Sequence, residues 1–99
     1  MMTHLHLTGI ACVDGRYLRY TSLPYQARLR ITFCGNPPWE PEADTGQPGA
    51  LGSVTGLDTD GPDLRISAPL HAEWANNNRE AIVAEAARIW QRGTRFCDG

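Results

Sequence analysis

Arg16, Tyr17, Arg19, Tyr20, Tyr25, Arg28 and Arg30 crowd into one short stretch of this chain. Arginine interleaved with tyrosine supplies what a single-stranded nucleic-acid site needs, guanidinium groups for phosphates and phenol rings for stacking bases. The competing reading is an ordinary solvated strand face at Arg28 and Arg30, neutralised by the chain's own carboxylates. In that reading Leu18 and one of the tyrosines turn into the core. No RNP-type motif accompanies the arginines and the net charge is −2, so the solvated face is the simpler account.

Two other chemistries can be assembled from the residue types present. His4 and His6 would share one face of a strand, as two metal ligands can, with His71, Cys12, Cys34 and Cys97 as completions. None of these has the close ligand spacing of a zinc finger or ribbon, so no metal is expected. A nucleophilic trio would take Cys34 or Cys97 with His71 and a carboxylate. There is no nucleophile elbow, no phosphate-cradling glycine loop and no His-Glu-x-x-His helix to support it. The expectation is a protein that is not an enzyme, with no catalytic residue and no cofactor.

The charges are sorted along the chain. Glu40, Glu42, Asp44, Asp58, Asp60 and Asp63 lie between Gly35 and Asp63, a stretch with no basic residue but six glycines and five prolines. All nine cations lie outside it and all are arginine. Arginine makes bidentate, weakly hydrated contacts that lysine does not. The acidic stretch can present negative charge to a basic groove, gaining association rate by steering and losing it with salt. Within it, Pro37-Pro38-Trp39-Glu40-Pro41 displays one tryptophan in a stiff frame, the kind of residue that anchors interfaces. Against this stands a solvated loop whose tryptophan folds back on the core. The candidate partner-binding set is therefore Trp39, Glu40, Glu42, Asp44, Arg28 and Arg30. The alternative nucleic-acid set is Arg16, Tyr17, Arg19 and Tyr20.

Elements must hold these groups in place. His4–Cys12 begins with a period of two and predicts a strand, and Asp14-Gly15 is a two-residue turn signal into a return strand at Arg16–Tyr20. Ala27–Cys34 is the clearest strand, with Ala27, Leu29, Ile31 and Phe33 on one face and Arg28, Arg30, Thr32 and Cys34 on the other. Residues 35–62 read as a long acidic loop, in which Ala50–Leu57 forms a glycine-diluted strand at a sheet edge. A further strand runs from Asp63 to Ala68. Asn77 with Glu80 has capping-box spacing, Ile82, Val83, Ala86, Ile89 and Trp90 make one apolar helical face, and Gly93 is the expected stop. Leu70–Ala75 can add an earlier helical turn with Trp74 on the core.

The expected fold is α+β: a mostly antiparallel sheet of four to five short strands with one C-terminal helix on one face. At 99 residues the chain makes a single domain, 1–99, with a modest core. Three widely spaced cysteines suit reduced thiols and a cytoplasmic location. No segment has the length and apolarity of a membrane span.

The compact length, the short strands followed by the Asn77–Arg92 helix, and the acidic loop around Trp39 give the chain an overall organisation that resembles small phage-encoded inhibitors of host machinery, among them anti-CRISPR proteins. No motif matches, so the resemblance transfers no residue. It implies a non-catalytic inhibitor in the host cytoplasm, docking on a host protein or a ribonucleoprotein complex such as a CRISPR-Cas effector. The alternatives are a small single-stranded nucleic-acid-binding protein and a phage structural or assembly subunit. The oligomeric state is left open.

Overall fold

Alternating apolar and polar residues build a five-stranded antiparallel meander with helices on one face. The computed structural model describes residues 6–23, 26–34 and 50–98, without the side chains of 95–98. Strands β1 (Thr8–Val13), β2 (Arg16–Ser22), β3 (Leu29–Phe33), β4 (Ala50–Thr55) and β5 (Asp63–Ile66) lie side by side in sequence order. Every neighbouring pair is antiparallel. A 3-10 turn (Pro69–His71) leads into α1 (Ala72–Asn77) and α2 (Arg79–Asp98).

The hairpin between β1 and β2 turns on Asp14 and Gly15, with φ of 51° and 78°. Both lie in the left-handed region that a two-residue hairpin turn of this hand requires, which asparagine, aspartate and glycine tolerate best. Asp14 has a second task. Its Oδ2 accepts a hydrogen bond of 3.0 Å from Trp74 Nε1, which ties the hairpin to α1.

The core lies on one side of the sheet. Leu18, Tyr20, Leu29, Ile31, Leu51, Val54 and Leu64 are fully or almost fully buried there against Ala75, Ile82 and Ala86 of the helices. Each large apolar side chain so buried contributes about 1.5–3 kcal/mol. Ile82, Val83, Ala86, Ile89 and Trp90 do form the inward face of α2, and Ala84, Arg88, Gln91 and Arg92 point to solvent.

Three sequence expectations change. β4 is an inner strand between β3 and β5, not an edge. Its glycine is there for contact: a Cβ on Gly52 would sit 2.0 Å from the Arg65 carbonyl oxygen. The register slips where Ile31 faces Gly52 and Thr32 faces Ala50, so Leu51 is the extra residue and is buried beside it. Gly93 does not end α2, which continues to Asp98. There a Cβ would lie 2.1 Å from Leu7 Cδ2, so glycine lets the helix approach the sheet. Asn77 closes α1 rather than capping a helix, and the break falls at Asn78, whose side-chain amide donates to Trp74 O at 2.9 Å. The earlier turn expected at Leu70–Ala75 is present as the 3-10 turn and α1, with Trp74 packed on the core.

Tyr20 carries the most telling polar contact in the core. Its ring is fully buried, and its hydroxyl donates to Ile82 O of α2 at 3.2 Å. Burial pushes the phenol well above its ordinary value of 10.0; the Glu85 carboxylate adds to the rise and Arg88 opposes it. The folded state therefore favours the neutral phenol. Its contribution is complete below about pH 10 and is lost as pH rises beyond that. Urea midpoints at about pH 8 and about pH 11 should show a loss of roughly 1.4 kcal/mol from this group, and Tyr20→Phe should abolish that increment. An unchanged alkaline loss in the phenylalanine variant would show that another group titrates.

Candidate functional site: the open face of the sheet

With the helices on one side, the other side of the sheet is uncovered among the described residues. Side chains alternate across a strand, so the partners of the buried positions face outward. In β3 the buried Leu29 and Ile31 leave Arg30 and Thr32 on the open face, and Arg28 precedes them with the same parity. In β2 the buried Leu18 and Tyr20 leave Tyr17, Arg19 and Thr21 outward. In β5 the buried Leu64 leaves Asp63 and Arg65 outward.

Register then brings residues of different strands together. Thr21 faces Arg30, Arg30 faces Ser53, and Ser53 faces Arg65. Arg30 and Arg65 are thus two strands apart, about 10 Å between backbones, with the Ser53 hydroxyl between them. Arginine side chains are long enough to converge over that serine. Arg28, Arg30, Ser53, Arg65 and Ser67 line one shallow depression, walled on its apolar side by Leu23 and Ile66.

The electrostatics favour an anion there. Asp63 is the carboxylate closest in sequence to Arg65, but Arg79 holds it at 3.0 Å, while also donating to Leu64 O at 2.7 Å and to Asn76 Oδ1 at 2.8 Å. No ion pair reaches Arg28, Arg30 or Arg65 among the described residues. Arg28 Nε is buried without a hydrogen-bond partner among them. A buried donor left without a partner costs about 1–3 kcal/mol. Three guanidinium groups and the Ser53 hydroxyl can together bind a phosphate or a carboxylate through charge-assisted hydrogen bonds, while the Ser67 hydroxyl donates to Leu51 O at 3.4 Å.

The nucleic-acid set of the sequence divides between the two faces. Arg19 and Tyr17 stay on the open face. Tyr20 is withdrawn: its ring is inside the core and cannot stack on a base. Arg16 is drawn to the helix side, where its guanidinium lies 4.9 Å from the Trp74 ring and 5.7 Å from that of Phe33. The signal that separates the tyrosines was present in the sequence, because Leu18 and Tyr20 share a parity and so do Tyr17 and Arg19. Arg65 is a site residue that the sequence reading missed. Its outward parity beside Leu64 was visible, but its position opposite Ser53 depends on strand register.

Trp39, Glu40, Glu42 and Asp44 lie outside the described residues, as do His4, Tyr25 and the side chain of Cys97. Of the catalytic and metal candidates that remain, His71 packs on Phe33 with ring centroids 4.5 Å apart, and Cys34 is half-buried. Among the described residues no three His, Cys, Asp or Glu side chains come together as metal ligands. No helix of these residues is long and apolar enough to cross a membrane. Comparisons with protein-family models, curated proteins and solved structures gave no match to this chain.

Proposed function

We propose that this is a non-catalytic binding protein, an inhibitor in character, that docks through the open face of its sheet on a ribonucleoprotein of the host cell. The observation that carries this reading is that Arg28, Arg30 and Arg65 line one depression with Ser53 and Ser67, with no ion pair to these arginines among the described residues. Such a cradle fits the phosphate oxygens of an exposed RNA backbone better than the scattered carboxylates of a protein surface, since phosphates recur at regular spacing. A small rigid domain acting this way would inhibit by covering a surface the larger complex needs.

A second reading, direct binding of single-stranded nucleic acid, gains support from Arg19, which extends the same cationic face onto β2. It loses support from the removal of Tyr20 and Arg16, which takes away a stacking ring and a phosphate contact.

Fluorescence anisotropy with a labelled single-stranded RNA of mixed sequence tests the phosphate contact. Three guanidinium–phosphate contacts predict a log–log salt slope near −2, so affinity should fall about twentyfold between about 50 and about 200 mM salt. A salt-independent affinity, or none at the lower salt, would remove the phosphate part of the proposal.

A further inference from the structure

The two edges of the sheet are finished differently. β5 is four residues long, carries Asp63 and Arg65, and has its Leu64 carbonyl occupied by the Arg79 guanidinium. Short length, charge and a covering side chain are the usual protections of an edge strand. β1 has none of these among the described residues. Its six residues, Thr8 to Val13, include no charge and no proline, and Ile10 is 43% exposed.

The backbone of β1 presents a defined docking register. Ser22 N donates to Leu7 O at 2.9 Å, which makes Leu7 and Ser22 a hydrogen-bonded pair of the ladder. Pairs alternate in an antiparallel ladder, so Gly9, Ala11 and Val13 bond to Tyr20, Leu18 and Arg16 of β2. The N–H and C=O groups of Thr8, Ile10 and Cys12 therefore point away from the sheet. No strand pairs with them among the described residues. The side chains of the same three residues are exposed on the open face.

Both sides of this edge are cationic. Arg19 stands beside Ile10 on the open face. On the helix side, Arg88 and Arg92 line a groove floored by Leu7, Gly9 and Ile89. Glu85 pairs with Arg88, which leaves Arg92 without an ion-pair partner among the described residues. A second copy of the chain paired on β1 would set one cationic edge against another, whereas an acidic segment offers the opposite charge.

We propose that β1 is a docking edge that accepts an extended acidic segment of a partner protein as a sixth strand. Main-chain hydrogen bonds to Thr8, Ile10 and Cys12 supply the affinity, and carboxylates at adjacent positions of the segment, which point to opposite faces, reach Arg92 on one side and Arg19 on the other. This surface is separate from the arginine cradle around Ser53 and stands whether or not that cradle binds phosphate.

The test uses a fluorescein-labelled peptide in which pairs of adjacent glutamates, whose side chains fall on opposite faces of a strand, are separated by single valines, with a lysine–valine peptide of the same pattern as control. Amide hydrogen exchange by NMR should show Thr8, Ile10 and Cys12 exchanging freely in the protein alone and protected with the acidic peptide. Gly9 and Ala11 should be protected in both. Ile10→Pro removes one outward N–H without touching the β2 ladder and should weaken the peptide about tenfold. Arg92→Gln, a surface change that leaves the strand as it is, should weaken it about threefold. Equal binding of the lysine–valine peptide, no binding of the acidic one, or full affinity in both variants would overturn the proposal. So would protection of Thr8, Ile10 and Cys12 without peptide, rising with protein concentration alongside a dimer in sedimentation equilibrium, because the occupant would then be a second copy.

Discussion

Replacing Arg28, Arg30 and Arg65 together by glutamine should flatten the salt dependence of single-stranded RNA binding from a slope near −2 to near zero, and weaken binding at about 50 mM salt by roughly a hundredfold. The slope follows from counterion release, at about 0.7 per phosphate contact on a single strand. The affinity loss follows from three charge-assisted contacts at about 1.4 kcal/mol each, less an allowance for solvent screening at Arg30 and Arg65. Glutamine keeps polar atoms and much of the side-chain length, so the change isolates charge. Stability should move little, since surface substitutions of this kind usually stay within about 0.5 kcal/mol. Removing Arg28 Nε, which is buried without a partner among the described residues, acts in the favourable direction. Arg30→Gln alone should lower the slope by about 0.7.

Gly52→Ala should be the most damaging single-atom change in the sheet. The new Cβ would lie 2.0 Å from the Arg65 carbonyl oxygen and 3.0 Å from both the Arg65 carbonyl carbon and Ile66 Cα. The obstacle is backbone of the neighbouring strand, which cannot rotate aside as a side chain can. Either the β4–β5 pairing opens or the bulge at Leu51 is forced to move. The expected cost is about 3 kcal/mol, which for a domain of this size lowers Tm by roughly 12–24 °C. Thermal denaturation followed by circular dichroism reads this directly. Gly9→Ala is the matched control, because its Cβ meets the end of the Ile89 side chain at 3.0 Å and that side chain can give way. A Gly52→Ala variant melting within a few degrees of the parent would mean that β4 and β5 are not paired in this register. The cradle would then lose its basis too, since Arg65 reaches Arg30 only through Ser53.

Local features of this fold could be read from the sequence because their causes are local. Leu29 and Ile31 against Arg28 and Arg30 are a period of two, and the structure puts the first pair in the core. Asp14-Gly15 is a turn because both residues tolerate positive φ. The inward face of α2 follows from spacing along a helix. What escaped was decided by distant neighbours. Glycine at position 52 reads as a weak strand near an edge, whereas the actual reason for it is the Arg65 carbonyl one strand away. Gly93 reads as a helix stop, yet the residue that requires it is Leu7.

The site divides in the same way. Arg28 and Arg30 were legible as an outward pair, and the split between Tyr17 and Tyr20 followed from the parity of Leu18. The joining of Arg30 to Arg65 was not, because it depends on two successive strand registers that no residue type announces.

Whether the arginine face of the sheet makes the contact with the partner is decided by comparing that face with and without its charges. Immobilised protein and the Arg28/Arg30/Arg65 glutamine variant should be run in parallel against a bacterial lysate, with and without nuclease, eluted with a salt gradient and read by mass spectrometry. A ribonucleoprotein should be retained by the parent at low salt, released as salt rises and absent from the variant. The same complex held equally by both proteins would contradict contact through this face.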